Sequence, residues 1–147
     1  MIRVRLTSFT DYGLRALMRM ASAPERAWST AELADELRIS RHHLTKIIQT
    51  LAKAGYLTTR RGGGGGATLA RPPADIRLGD LVRLLERGQA LVECFDTDGG
   101  ACTLTGHCRL KHRLRAAEER FLADLNRSTL AEIAVRLPEP VAKEPLG

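Results

Sequence analysis

The chain has 147 residues, the size of one compact domain with at most a peripheral arm, and enough to bury a core. Apolar residues make up 44% of it but the aromatics are only one Trp, two Tyr and three Phe, so the core must be Leu, Ala, Ile and Val, which suits small packed helices. The net charge is +6, and the longest stretch without Asp, Glu, Lys or Arg runs only from Gly99 to Cys108, about half of a membrane span; with Arg3, Arg5 and Asp11 interrupting the N-terminus, no transmembrane or signal segment is expected and the protein is expected to be cytoplasmic.

Phe9, Tyr12, Ala16, Leu17 and Met20 recur at near-helical intervals and predict a first amphipathic helix over Thr7 to Ala21, with Thr7 or Ser8 as N-cap and Pro24 as the stop. Ser29 caps a second helix whose buried residues are expected to be Leu33, Ala34 and Leu37. The turn Arg38-Ile39-Ser40 follows, and Ser40 caps a third helix to about Ala54, with Leu44, Ile47, Ile48 and Leu51 on one face and Gly55 at its end. Two short helices joined by a tight turn, the second of them basic, form a helix-turn-helix pattern.

Tyr56 to Arg61 is short and β-prone, Gly62 to Gly66 make a loop, and Thr68-Leu69 resumes an extended run before Pro72 and Pro73. This predicts a β-hairpin, the wing of a winged helix. Ala67-Thr68 follows the glycines where a nucleotide-binding loop requires Gly-Lys-Ser/Thr.

Leu78, Leu81, Val82 and Leu85 predict a fourth helix ending at Gly88, packed on the winged unit. Periodicity stops between Gln89 and Cys108. It resumes over Arg109 to Asn126, where Leu110, Leu114, Ala117, Phe121 and Leu125 form a coiled-coil-like seam on a long helix. Ser128 is expected to cap a short helix, Thr129 to Leu137, and Pro138 to Gly147 to be a disordered tail. The expected fold is therefore mainly α with a small β-wing. Residues 1–88 form a winged helix-turn-helix DNA-binding domain, 89–108 a cysteine-containing loop, 109–137 a dimerisation helix with a short helix after it, and 138–147 the tail.

Charge is placed unevenly along this plan. Residues 1–80 carry 13 Lys+Arg against 7 Asp+Glu, and residues 81–147 carry 10 of each. Between Arg38 and Arg61 there are six basic residues and no acidic one, a field that attracts a polyanion, although a solvated helix face would carry the same charges. If the third helix enters a major groove N-terminus first, Arg41, His42 and His43 are its expected base readers, with Lys46 and Gln49 one turn further in. Ser40, at the helix start, is placed to meet a phosphate. Arg60 and Arg61 at the wing base can reach a minor groove or backbone, with Gly63 and Gly64 permitting close approach. No nucleophile motif, clustered acid–base pair or cofactor fingerprint points to an enzyme.

Cys94, Cys102 and Cys108 are the only cysteines, spaced C-x7-C-x5-C. An odd count without an export signal argues against a disulfide framework. Three thiols in one loop can converge on a soft site, an iron–sulfur cluster or zinc, although the spacing is not a C-x2-C zinc knuckle. A four-ligand site is one donor short, and His107 and His112 lie nearby.

The opening RLTSFTDYGLRALMRMA, the block LRISRHHLTKIIQTLAKAGYL, the wing RRGGGGGATLA and the three cysteines before a long helix resemble the NsrR/IscR family of iron–sulfur winged-helix repressors over roughly residues 5 to 135. Phe9-Thr10-Asp11 and the pattern Cys102-Thr103-Leu104 through Cys108-Arg109-Leu110 are most similar to its nitric-oxide-sensing NsrR branch. That resemblance implies a homodimer on a palindromic double-stranded DNA operator. It implies a 4Fe-4S cluster held by Cys94, Cys102, Cys108 and Asp11 of the partner subunit, with nitric oxide as the signal. The IscR branch uses a His three residues after the third cysteine; here that residue is Lys111, His112 comes one position later, and the gap from Cys94 to Cys102 is longer than the branch's form. Arg15, one helical turn after Asp11, is placed to pair with it and couple the site to the fold. A 2Fe-2S redox or iron regulator of the same fold, and a winged-helix protein with structural zinc, are the other readings.

Overall fold

The computed structural model describes residues 5–61, 66–87 and 109–137. Cys94, Cys102, Cys108, His107, Gly63, Gly64, the helix end expected at Gly88 and the tail expected over 138–147 lie outside the described residues.

Helix α1 (Ser8–Ala21) starts at Thr7, whose hydroxyl accepts a 3.3 Å hydrogen bond from the Thr10 N–H. Asp11 in the first turn and Arg19 in the last both suit the helix dipole. Thr10, Gly13, Ala16, Leu17 and Met20 are buried, while Phe9 and Tyr12 pack at the margin of the core. Helix α2 (Thr30–Leu37) is capped by Ser29, whose Oγ accepts from the Glu32 N–H at 3.0 Å. Eight residues do not hold a helix in isolation, and α2 is held by burying Leu33 and Ala34 against its neighbours; Leu37 is only half-buried. Arg38 then takes a left-handed conformation, φ 56°, so that its own N–H and that of Ile39 return to Asp35 and Ala34 carbonyls and the chain reverses into α3 (Arg41–Lys53). All four expected core residues of α3 are buried.

Gly55, at φ 87°, ends that helix and leads into the hairpin of β1 (Leu57–Arg60) and β2 (Gly66–Leu69), paired antiparallel with Leu57 opposite Leu69 and Arg60 opposite Gly66. β2 begins earlier than the sequence pattern indicates, because its far side has a partner. The Trp28 N–H donates to the Ala67 carbonyl at 2.8 Å and the Ala67 N–H to the Trp28 carbonyl at 2.7 Å. Gly66 therefore belongs to a strand rather than to the loop, and a β-carbon there would lie 2.5 Å from the Trp28 carbonyl oxygen. Trp28 itself, expected only as a lead-in to α2, is buried in the core, its ring covered by the guanidinium groups of Arg26 and Arg19.

A 3-10 turn (Pro73–Asp75) brings the chain to α4 (Leu78–Leu85), which buries Leu78, Leu81, Val82 and Leu85. α5 (Arg109–Leu125) lies along α4, so close that a β-carbon on Gly79 would sit 2.1 Å from the Leu122 carbonyl oxygen. The Asn126 side chain replaces a conventional cap on α4, accepting from the Asp80 N–H at 2.9 Å and donating to the Asp80 carboxylate at 3.1 Å. Arg83 on α4 makes a two-pronged bond to Glu119 on α5, 2.8 and 2.9 Å. Those hydrogen bonds hold the Glu119 carboxyl below the usual range of glutamate and raise the Arg83 guanidinium above its own.

The helix expected over Thr129 to Leu137 with Ser128 as cap is instead one 3-10 turn (Leu130–Ile133) capped by Thr129. Backbone groups that would have continued an α-helix are taken by other elements: the Ser128 carbonyl accepts from Leu78, the Leu130 N–H donates to Ile76, and the Val135 N–H donates to Met18. Leu130 is fully buried in the same core as Leu17, Leu44 and Leu81, where each such side chain is stabilised by about 1.5–3 kcal/mol relative to exposure. Five α-helices and one two-stranded antiparallel sheet among the described residues make this the winged-helix arrangement read from the sequence. No helix among the described residues is long and apolar enough to cross a membrane.

Candidate nucleic-acid interface

The buried stripe Leu44, Ile47, Ile48 and Leu51 fixes which face of α3 looks outward. At 100° per residue the centre of the opposite face falls on His42, Lys46, Gln49 and Lys53, with Thr45 at its side, and all five are exposed. Thr45 was not singled out from the sequence, yet it lies one turn from both Arg41 and His42. Its hydroxyl donates back to the Arg41 carbonyl at 2.7 Å, which leaves its methyl group as the outward chemistry.

Arg41 and His43 stand on the two flanks of this face. Arg41 turns toward α2, where its Nη2 lies 3.2 and 3.4 Å from the Asp35 carboxylate oxygens. His43 turns toward α1 and stacks on Tyr12, ring centroids 6.4 Å apart and planes at 29°. His42 is inclined to His43 at 6.3 Å. The Ser40 hydroxyl is already used inside the protein, accepting from the His43 N–H at 3.4 Å. Arg60 ends β1, Arg61 follows it, and both are exposed beside the glycines. Arg38, Lys46 and Lys53 are exposed as well, so all six cations of the acid-free segment are open to solvent, where they can attract a polyanion.

In the first turn of α1, next to Tyr12, Asp11 is half-exposed and receives two bonds from Arg15, Nη2 at 2.8 Å and Nε at 3.2 Å. The Arg15 guanidinium also lies 5.9 Å from the centre of the Tyr12 ring. The start of α1 is tied to the end of α4: the Thr7 N–H donates to Glu86 at 2.6 Å, and a β-carbon on Gly13 would meet a Leu85 methyl at 2.9 Å. The structure thus brings the first turn of α1 beside the end of α4, from which the cysteine-bearing segment departs, while α5 receives that segment on its return. Among the described residues no three His, Cys, Asp or Glu converge as metal donors. Cys94, Cys102 and Cys108, the donors expected from the sequence, lie outside those residues, and of the expected ligands only Asp11 is described.

A family model described as Rrf2, iron-dependent transcriptional regulator, matches residues 6–136. Among solved structures the chain is similar to an IscR from T. potens, with 26% identity and a TM-score of 0.68 over 88% of this chain and 85% of that one. It is similar also to CymR, the global cysteine regulator of B. subtilis, with 25% identity and a TM-score of 0.68 over 90% of this chain and 97% of that one. CymR of S. aureus in its oxidized form shares the fold at 23% identity, with a TM-score of 0.66 over 92% and 99% of the two chains. With nearly the whole chain matched and a winged helix carrying a cationic α3 and wing, the protein belongs to the Rrf2 family of DNA-binding transcriptional regulators, whose members are not enzymes.

Proposed function

We propose that the chain is a homodimeric repressor of a palindromic operator, and that an iron–sulfur cluster, 4Fe-4S in type, makes its DNA binding responsive to nitric oxide. The observation that carries this reading is the placement of three cysteines within fifteen positions between α4 and α5, two helices clasped to each other, with α4 also tied to the first turn of α1. Cys94, Cys102 and Cys108 hold the cluster in one subunit, and Asp11 of the partner subunit completes it. When bound, the cluster supplies iron open to attack by nitric oxide at its weaker, carboxylate-bound corner.

Asp11 has two competing partners in this scheme. In the structure its carboxylate is occupied by Arg15, whose guanidinium also lies beside Tyr12; ligation of the partner's cluster competes with that pair for the carboxylate oxygens. Both residues lie on α1, which packs on α3, so a change of partner at Asp11 alters how the two recognition helices are held relative to each other. Recognition helices must stand about 34 Å apart to meet successive half-sites, and a small rotation ends simultaneous contact. Residues 1–88 act as the reading unit, 89–108 as the cluster-binding segment and 109–137 as the pairing element. Ser40, Arg41, His42, His43, Lys46, Gln49, Arg60, Arg61, Gly63 and Gly64 are assigned to DNA, and Arg15 to coupling.

The test is an anaerobic absorption spectrum of freshly purified protein titrated with nitric oxide, with operator binding followed in parallel. A broad band near ~400 nm that bleaches together with loss of DNA binding is expected. Zinc in a colourless protein, or a reversible one-electron change without response to nitric oxide, overturns the sensing role. Mixing Asp11→Ala chains with Cys102→Ala chains tests the shared site: a dimer of the two restores one complete cluster if Asp11 crosses over, and none if it serves its own chain.

A further inference from the structure

The stretch from Arg38 to Arg61 holds six cations and no acid, yet the fold delivers one to its edge. Asp35, on α2 and outside that stretch, meets Arg41, and of the six cations Arg41 alone is ion-paired among the described residues. The pair contributes little to the fold, since both side chains are largely exposed, at 64% and 70%. Toward DNA a carboxylate in this position is a liability, because it stands beside a surface suited to phosphates and repels them.

The geometry of the contact shows what could offset that repulsion. One nitrogen, Nη2, faces both carboxylate oxygens, and a single N–H aimed between the two oxygens suffices for that contact, which leaves the other Nη2 N–H to act in parallel with its Nη1 or Nε neighbour. A guanidinium reads guanine by presenting two parallel N–H groups to O6 and N7, which requires its plane to be fixed. An arginine on an exposed helix start otherwise samples many rotamers, and ordering it on DNA costs conformational entropy.

We infer that Asp35 is a positioning residue for base reading: it holds the Arg41 guanidinium at the edge of α3 with its free side directed at a guanine in the major groove. Its charge at the same time weakens binding to duplexes that lack that guanine. Asp35 thereby raises selectivity from both directions, favouring the right sequence and disfavouring the rest. The inference rests on the reading of α3 as the operator-contacting helix.

Selection from a random double-stranded DNA library tests it, using the full-length, anaerobically purified chain and its Asp35→Ala, Asp35→Asn and Arg41→Ala variants. The wild type is expected to enrich a motif with one guanine per half-site that Arg41→Ala no longer enriches. Asp35→Ala is expected to lose preference for that same guanine by about tenfold while binding the unselected library as tightly as the wild type or more so. Asp35→Asn keeps the side-chain shape and is expected to fall between the two. Full retention of the guanine preference in Asp35→Ala overturns the proposal alone. A wild type that enriches no motif overturns the operator-binding reading and the proposal with it.

Discussion

Helices α3 and α5 both carry a regular apolar stripe, but among the described residues only one of the two stripes is covered. In α3 the stripe Leu44, Ile47, Ile48 and Leu51 is buried to 6% exposure or less, so the polar face is rigidly aimed outward. In α5 the expected seam is mostly uncovered: Leu110 is 59% exposed, Phe121 is 40% exposed, and Ala117 lies open between them. What α5 buries on its own chain is Leu122, one position off the seam, with Leu125 packed at the core margin. The helix proposed to read DNA is thus completed within one chain, whereas the helix that follows the cysteine segment has an apolar seam that the other described residues leave open. Such a seam is the natural contact for a second copy of the same helix, in keeping with the proposed homodimer.

The largest effect is expected where the seam is made charged. Replacing Leu110 and Phe121 by Glu should convert the dimer to a monomer, removing about 8 kcal/mol of association for a dimer of micromolar affinity, while the thermal unfolding of the winged unit stays within a few degrees. Sedimentation velocity and circular dichroism measure the two independently. A double variant that remains dimeric shows that another surface pairs the chains. The opposite expectation holds in α3: Ile47→Ala leaves a cavity under the reading face and should destabilise the fold by about 2–5 kcal/mol without changing the oligomeric state of the molecules that remain folded, as urea denaturation would show.

That asymmetry also marks what the sequence makes legible. The order of the helices, the Ser29 and Ser40 caps, the core positions of α3 and α4 and the existence of the hairpin follow from local periodicity and cap chemistry, because each is decided within a few residues. The pairing of Arg15 with Asp11 is legible for the same reason, being one helical turn. Contacts made at long range are not legible. Trp28 looks like a loop residue until β2 pairs with it, and Gly66 looks like part of a glycine loop until the Trp28 carbonyl is found where its β-carbon would be. Thr129 to Leu137 has the composition of a helix, but its backbone is recruited by Ile76 and Met18, and that of the expected cap Ser128 by Leu78. The Arg41–Asp35 pair escapes a reading of charge runs, since the acid comes from the preceding helix.

The two serine caps refine the comparison within the helix-turn-helix. Ser29 Oγ accepts at 3.0 Å and Ser40 Oγ at 3.4 Å, so Ser29→Ala should cost about 1 kcal/mol and Ser40→Ala less. DNA affinity should reverse that order, because Ser40 opens the helix assigned to the operator. Chemical denaturation and operator binding on the same two variants separate the roles. Equal losses of affinity in both would remove Ser40 from the interface.

The smallest effect probes how α5 is fastened to its own chain in spite of its uncovered seam. Arg83 holds the Glu119 carboxyl below its ordinary pKa by direct hydrogen bonds, so the folded state favours the ionised form more than the unfolded state does. The resulting stabilisation is complete above the unfolded pKa of glutamate, about 4.3, and is lost as pH falls through the lower folded value. Glu119→Gln lacks this dependence. The difference in Tm between wild type and Glu119→Gln should therefore be greatest near neutral pH, constant down to about pH 5, and should close as the solution is acidified further. Both side chains are exposed, so the gap should be small and should narrow with added salt. A gap that persists unchanged into acid would mean that the amide disturbs packing between α4 and α5, and that Gly79, Leu122 and Asn126 fasten α5 without help from the ion pair.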